Sequence, residues 1–259
     1  MKNEDEKSKP AVKVDSTLLK GLKILETLAN SPIEKGVTEL SLECEMTKSN
    51  TFRLLRSLSI LGYVHQPDGK NYSCTMKAWQ LGQRIMDHLD LPAIAASQMR
   101  KLSQVTGATI YLAVRDGLSV LYIDKIDSTQ PIRSWSLKGG TAPLYCVGPG
   151  KAILAEQYKL LREQLKGELV QYTDKTITTL QQLDQDMAAT LERGYSVDTG
   201  EYRERIMSFG APIKAPNGEV LGALGVSIPD INLKDGDLEK ICIAVRDAGI
   251  IVSAKIAES

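Results

Sequence analysis

The stretch Thr47-Lys48-Ser49-Asn50-Thr51-Phe52-Arg53-Leu54-Leu55-Arg56-Ser57-Leu58, followed by Leu61-Gly62, decides how the N-terminal part of the chain is read. Thr47 is an N-cap residue, whose side-chain oxygen takes a first-turn amide, and Gly62 supplies the stop. Thr51, Leu54 or Leu55, Leu58 and Leu61 recur at helical spacing as an inward stripe. Lys48, Ser49, Asn50, Phe52, Arg53, Arg56 and Ser57 are left on or beside the opposite face, and Thr47 to Ser59 holds three cations and no acid. Lys and Arg neutralise phosphates, Arg can read guanine bidentately, Asn can read adenine, and the first turn of such a helix enters the groove most deeply. By itself, though, a polar helix face is the ordinary solvated surface of a soluble protein.

Its neighbours in the chain shift that balance. Upstream, Ser16 can cap a helix carrying Leu18, Leu19, Leu22, Ile24, Leu25 and Leu28, ending near Asn30-Ser31-Pro32. Gly36 opens a turn, and Thr38 can cap a short second helix with Leu40 and Leu42 that fades by Met46. Downstream, Tyr63-Val64-His65-Gln66 and Asn71-Tyr72-Ser73-Cys74 read as two strands joined at Pro67-Asp68-Gly69-Lys70. Helix, short helix, tight turn, cationic helix and hairpin form a winged helix-turn-helix, and this order favours DNA binding over the solvated-surface reading.

With 259 residues the chain is long enough for two unequal cores. Hydrophobic residues at 42% and charged residues at 25% are ordinary for a folded protein and exclude wholesale disorder. Lys plus Arg balances Asp plus Glu at 32 each, so the case for nucleic acid rests on local distribution, not net charge. No stretch reaches the ~18 apolar residues of a membrane span, and the polar N-terminus has no signal-peptide core, which places the expected location in the cytoplasm. Cys44, Cys74, Cys146 and Cys242 form no C-x-x-C pair and only His65 and His88 are available, so no metal site and no cofactor are expected. Nucleotide-binding glycine motifs are absent.

Beyond the hairpin, Met76 to His88 places Trp79, Leu81, Ile85, Met86 and Leu89 near helical spacing before Asp90-Leu91-Pro92 interrupts. This connector stripe is either core or a dimer seam. From Pro92 a helix through Ile94, Met99, Leu102 and Val105 ends at Gly107. Strands are expected over Thr109 to Val114, Val120 to Ile126, Ile132 to Leu137, Ala211 to Lys214 and Val220 to Ile228. Helices are expected from Gly148, over Thr179 to Arg193 with Gly194 as stop, and from about Gly236 to Lys255. Antiparallel hairpins flanked by helices define an α+β sheet domain. The division expected is a flexible tail over 1–15, a winged helix-turn-helix over 16–75, a linker helix over 76–91 and a second domain over 92–259. Gly148-Pro149-Gly150-Lys151 lacks the spacing of a nucleotide loop. It is either a turn into a helix or a holder for a carboxylate-sized anion at the helix start.

The stretch from Thr47 to Leu58 with Leu61-Gly62-Tyr63-Val64 resembles the recognition helix and wing of the IclR family of bacterial transcriptional regulators, with Ser49-Asn50 where that family usually has Ser-Thr. Pro143-Leu144-Tyr145-Cys146, Gly148-x-Gly150-Lys151-Ala152-Ile153-Leu154-Ala155, and Gly194-Tyr195-Ser196-Val197-Asp198 followed by Ala211-Pro212-Ile213 resemble its effector domain. The resemblance implies a GAF-like C-terminal domain. It also implies a pocket formed by Leu144 as an apolar wall, Val147, Gly148, Pro149, Asp198, Ile206, Ser208, Gly225 and Ser227. Ser208 stands where the family usually has cysteine, and Val147 and Pro149 make the loop bulkier and poorer in donors. Without the resemblance, Asp198 reads equally as a surface acid or cap partner, and Ser227 as a residue satisfying its neighbours.

The leading expectation is a regulator, not an enzyme, whose binding to a palindromic double-stranded operator responds to a small organic-acid effector. Sugar, keto and aromatic acids are the candidate classes. The resemblance further implies a homodimer or dimer of dimers joined through helix one and the connector, control of a carbon-source operon, and repression. Two alternatives stand beside it: an enzyme built on a GAF-like pocket near Cys146, and a winged helix used for protein contact.

Overall fold

Asp15, not Ser16, caps the first helix, its carboxylate accepting the Thr17 and Leu18 amides at 2.9 Å in the computed structural model. An anionic cap suits the positive end of the helix dipole, which moves the start back one residue. The structure describes residues 15–67, 69–87, 91–134, 136–234 and 236–258. The rest of the expected tail, together with Asp68, His88, Leu89, Asp90, Trp135 and the side chains of Ile85 and Met86, lies outside the described residues. The chain divides into two units, one to residue 89 and one from residue 90.

In the first unit α1 (Ser16–Ala29) is followed by β1 (Lys35–Gly36), α2 (Val37–Glu43), α3 (Lys48–Ile60), β2 (Val64–His65), β3 (Asn71–Cys74) and α4 (Lys77–Asp87). The second helix begins at Val37 and not after Thr38, because the Glu39 carboxylate reaches back to the Gly36 amide at 2.8 Å. Gly36 also pairs with Asn71, so the expected hairpin is the larger part of a three-stranded sheet in the order β1-β3-β2. Ile24, Leu28, Leu40, Leu54, Leu55, Val64 and Tyr72 form the core, and both Leu54 and Leu55 are buried. Leu61 is exposed because α3 has ended before it, and Gly62 turns the chain at φ +79°.

The second unit contains α5 (Leu91–Thr106), β4 (Thr109–Asp116), β5 (Ser119–Ile126), β6 (Thr141–Pro143), α6 (Gly148–Leu161), α7 (Leu180–Arg193), β7 (Ser196–Asp198), β8 (Ile206–Lys214), β9 (Val220–Pro229) and α8 (Asp237–Glu258). The strands form one antiparallel sheet in the order β6-β5-β4-β9-β8-β7. Helices α5 and α8 pack together on one face; α6 lies on the other with α7 beside it. Thr179 caps α7 and Gly194 ends it at φ +74°. This is the expected α+β architecture.

One expected strand is absent: among the described residues Ile132 to Leu137 forms no ladder, and Ile132 and Leu137 are exposed. The free edge of β5 is taken instead by β6, after a turn in which Gly139 donates to the Tyr122 carbonyl at 2.8 Å and Tyr122 donates to the Gly140 carbonyl at 3.0 Å. An apolar, β-branched residue favours a strand only where a neighbouring edge is open to pair with it.

Candidate functional site

Helix α3 presents the cationic face of the first unit. The Thr47 hydroxyl accepts the Asn50 amide at 3.3 Å and so sets the first turn, while Thr51, Leu54 and Leu55 hold the inner side. Lys48, Ser49, Phe52, Arg53, Arg56 and Ser57 are exposed and Asn50 is partly so. Arg53 donates to the Asn50 side-chain oxygen at 3.1 Å, one helical turn away, which aligns the guanidinium along the helix. The Ser57 hydroxyl donates to the Arg53 carbonyl at 3.1 Å, so its proton is engaged within the helix. Leu18, Leu19 and Leu22 of α1 and Trp79 and Leu81 of α4 are about half exposed or more, leaving apolar side chains on both helices uncovered within one chain.

In the second unit a small cavity of about 30 Å³ opens on the α6 face of the sheet, well below the ~300–1,000 Å³ of a typical small-molecule site. Of the residues expected there, Val147, Pro149, Asp198, Ile206, Ser208, Gly225 and Ser227 line it. Leu144 and Gly148 do not: Leu144 is fully buried in the core beside the cavity. Gly148 is pressed against β8, where a Cβ would meet the Phe209 amide nitrogen at 2.6 Å. Glycine is required there by close approach of helix to sheet. Gly225 is held by the same constraint, since a Cβ would lie 2.9 Å from the Pro149 ring.

Tyr111, Tyr122, Ser134, Ser136, Tyr202, Arg203 and Val226 complete the lining and were not anticipated. Tyr111 and Tyr122 face each other from β4 and β5 with ring centroids 4.6 Å apart. The period-two pattern of both strands places them on one face, a signal that the sequence carries without saying which face is hollow. Tyr202 and Arg203 belong to the loop between β7 and β8, bracketed by two pocket residues, Asp198 and Ile206.

Asp198 is buried, and all its contacts are donors: Oδ1 accepts the Gly200 and Glu201 amides at 2.9 and 2.6 Å, and Oδ2 accepts the Ser208 hydroxyl at 2.6 Å. Burial raises its pKa, against the pull of these donors. Behind it, the Lys151 ammonium is 1% exposed and meets Glu201, Asp186 at 2.8 Å and the Val197 carbonyl at 3.0 Å. Burial disfavours that charge, but the two carboxylates outweigh it and hold the lysine protonated. Burial pushes Glu201 up to about 7 despite the lysine, with Asp198 and Asp186 adding to the rise. Cys146 lies in the core and outside the cavity lining, and burial, with Asp198 and Glu201 nearby, pushes its thiol far up. Such a thiol is no nucleophile. Among the described residues no group of His, Cys, Asp or Glu could hold a metal, and no helix is long and apolar enough to cross a membrane.

A winged helix-turn-helix with a cationic third helix, joined to a sheet domain with a cavity, defines a DNA-binding regulator with an effector-binding domain. Comparison with known proteins agrees. The IclR helix-turn-helix domain matches residues 17–68, and the family described as bacterial transcriptional regulator IclR, C-terminal, matches residues 83–254. The chain belongs to the IclR family of bacterial transcriptional regulators. It is 34% identical over 244 residues to the HTH-type transcriptional regulator KdgR of Escherichia coli, covering 93% of this chain and 92% of that one. It is 27% identical to the HTH-type transcriptional repressor AllR of the same species, covering 95% of this chain and 92% of that one. The crystal structure of Thermotoga maritima IclR superposes with a TM-score of 0.77 at 29% identity, covering 93% of this chain and 98% of that one. These relatives are regulators, and the chain is a transcriptional regulator and not an enzyme.

Proposed function

We propose that the chain is a repressor of a carbon-source catabolic operon, released from a palindromic operator when a small organic acid occupies the cavity of the second unit. The observation that carries this reading is the α3 face, with Lys48, Arg53 and Arg56 exposed on a helix capped and packed by its other side. Arg53, Asn50 and Ser49 on the first turns are the base readers; Lys48 and Arg56 meet phosphate. The uncovered apolar side chains of α1 and α4 fit a homodimer seam, and two copies present two recognition helices to two half-sites. Assembly to a dimer of dimers, and action in the cytoplasm where the operator lies, belong to the same reading. The relative named a repressor supports the sign of regulation.

An effector can act only through a difference in affinity between the DNA-competent and DNA-incompetent states. The domain division is read as a winged helix-turn-helix over 16–75, a linker helix over 76–91 and an effector domain over 92–259. The test is selection of fragmented genomic DNA by the purified chain, followed by gel retardation of the selected fragment with pyruvate, gluconate or 4-hydroxybenzoate. Enrichment of one locus, weakened by one acid, is expected. Equal retention of all fragments removes the DNA assignment; strengthened binding with an acid reverses the sign.

A further inference from the structure

In this chain the start of α6 is poorly equipped to hold an anion. A helix N-terminus binds carboxylates through the unpaired amides of its first turn. Here the Gly148 amide is spent on the Ser208 hydroxyl at 2.8 Å, and Pro149 has no N–H. The Lys151 amide already closes the first helical bond to the Val147 carbonyl at 2.8 Å. The amides left at the helix start are those of Val147, the N-cap, which lines the cavity, and Gly150, which packs against Leu144 and Val147 and is not part of the lining. Asp198, on the same wall, is an acid with every contact already a donor, and it repels a second carboxylate.

The loop between β7 and β8 supplies a cation. Arg203 is the cation in the lining, at the mouth, with its guanidinium over the Tyr202 ring at 5.6 Å. Its loop is pinned on both sides. The Thr173 hydroxyl holds the Gly200 carbonyl at 2.7 Å, the Thr176 hydroxyl holds the Glu201 carbonyl at 2.6 Å, and Lys175 holds the Thr199 carbonyl at 3.0 Å. On the far side Arg205 pairs with Asp230 at 3.2 Å and its carbonyl accepts the Asp230 amide at 2.8 Å. A cation on a braced backbone loses little freedom on binding. The hydroxyl of Tyr111, a residue 3% exposed, also lines the cavity and has no hydrogen-bond partner among the described residues. A buried hydroxyl left unsatisfied is a group that a bound molecule would complete.

We propose that Arg203 is the residue that recognises the acid group of the effector, assisted by the Tyr111 hydroxyl, in the role that the first-turn amides of α6 cannot fill here. This inference rests on the cavity being the effector site, as proposed above. A planar guanidinium meets a carboxylate with two charge-assisted hydrogen bonds and has no such match with a neutral amide. Discrimination between an acid and its amide is therefore the property that Arg203 controls.

Isothermal titration of the full chain tests this with three matched pairs: pyruvate and pyruvamide, gluconate and gluconamide, 4-hydroxybenzoate and 4-hydroxybenzamide. The wild type should bind the acid of one pair at least tenfold more tightly than its amide. Arg203→Gln should bring that ratio near one by weakening the acid alone, Arg203→Lys should keep part of it, and Tyr111→Phe should weaken the acid severalfold. Arg203→Gln replaces an exposed side chain, so its fold is expected to be kept, and a wild-type melting temperature would verify this. An unchanged acid-to-amide ratio in Arg203→Gln overturns the assignment while leaving the cavity reading intact. Equal weakening of acid and amide also overturns it, making Arg203 structural. Failure of the wild type to bind any of the acids defeats the cavity reading and this inference together.

Discussion

The Ser208 hydroxyl stands between the Gly148 amide, from which it accepts at 2.8 Å, and the Asp198 carboxylate, to which it donates at 2.6 Å. One oxygen thereby joins the start of α6 to the end of β7, and Gly148 is held a second time through its carbonyl, which accepts the Ser196 hydroxyl. The pocket wall is thus a hydrogen-bonded unit in which each buried group depends on its neighbour.

Ser208→Ala is expected to destabilise the chain by about 1–3 kcal/mol, because it strands the Gly148 amide and one Asp198 oxygen in a buried place. Urea unfolding followed by circular dichroism measures the loss. Stability equal to wild type would mean that the two groups find other partners.

Lys151→Met leaves Glu201 and Asp186 without their shared counter-ion and should cost about 3–5 kcal/mol near neutral pH. Thermal unfolding at pH 8 and at pH 5 separates charge from packing. The deficit should shrink at the lower pH, where protonation of Glu201 removes one of the uncompensated charges; a deficit independent of pH would point to lost packing alone.

Glu201 gives the chain a pH dependence of definite sign. Burial raises its pKa from an ordinary 4.5 to about 7, so between these values the folded state holds a proton that the unfolded state has lost. Stability from this group is complete below pH 4.5 and is lost as pH rises through about 7. Wild type should therefore gain stability relative to Glu201→Gln on going from pH 8 to pH 5. A difference between the two proteins that stays flat over this range would contradict the burial effect.

Arg53→Ala should weaken binding to the selected operator by ~1–3 kcal/mol and relax preference at one base pair. Lys48→Ala should weaken all duplexes alike and lower the salt dependence of binding by about one ion. Competition against mutated operators distinguishes these effects, and identical profiles for the two variants would remove the division of roles.

Leu19→Glu combined with Trp79→Glu places charges among the uncovered apolar side chains of α1 and α4. Sedimentation should show the wild type as an assembly and the double variant as a smaller species with weakened operator binding. An unchanged sedimentation coefficient would locate the self-association surface elsewhere.

Much of the first unit could be read before any coordinates because its signals are local. Thr47 as cap, Gly62 as stop and the spacing of Thr51 and Leu54 act within a turn or two of helix, where the chain interacts only with itself. Gly194, which ends α7, is of the same kind. The strands that escaped notice, β1, β6 and β7, have two or three residues each. Strands that short show no alternation, and it is the partner edge that makes them strands at all. The expectation of a strand over Ile132 to Leu137 fails for the converse reason: residues of suitable type form no ladder there, because residue type alone does not make a strand.

From the order of residues alone came the winged helix-turn-helix and its cationic face, because caps, stops and periodicities are written in neighbouring residues; half of the residues that line the cavity came from the family resemblance. Folding alone decided that Lys151 is buried as the counter-ion of two carboxylates, that Ser208 consumes the Gly148 amide, and that Arg203 comes to the cavity mouth. Those facts depend on groups 35 to 60 residues apart meeting in space, as between Lys151 and Asp186 or between Gly148 and Ser208. Burial and electrostatic partnership at that range are properties of the packed chain, and no window of sequence contains them.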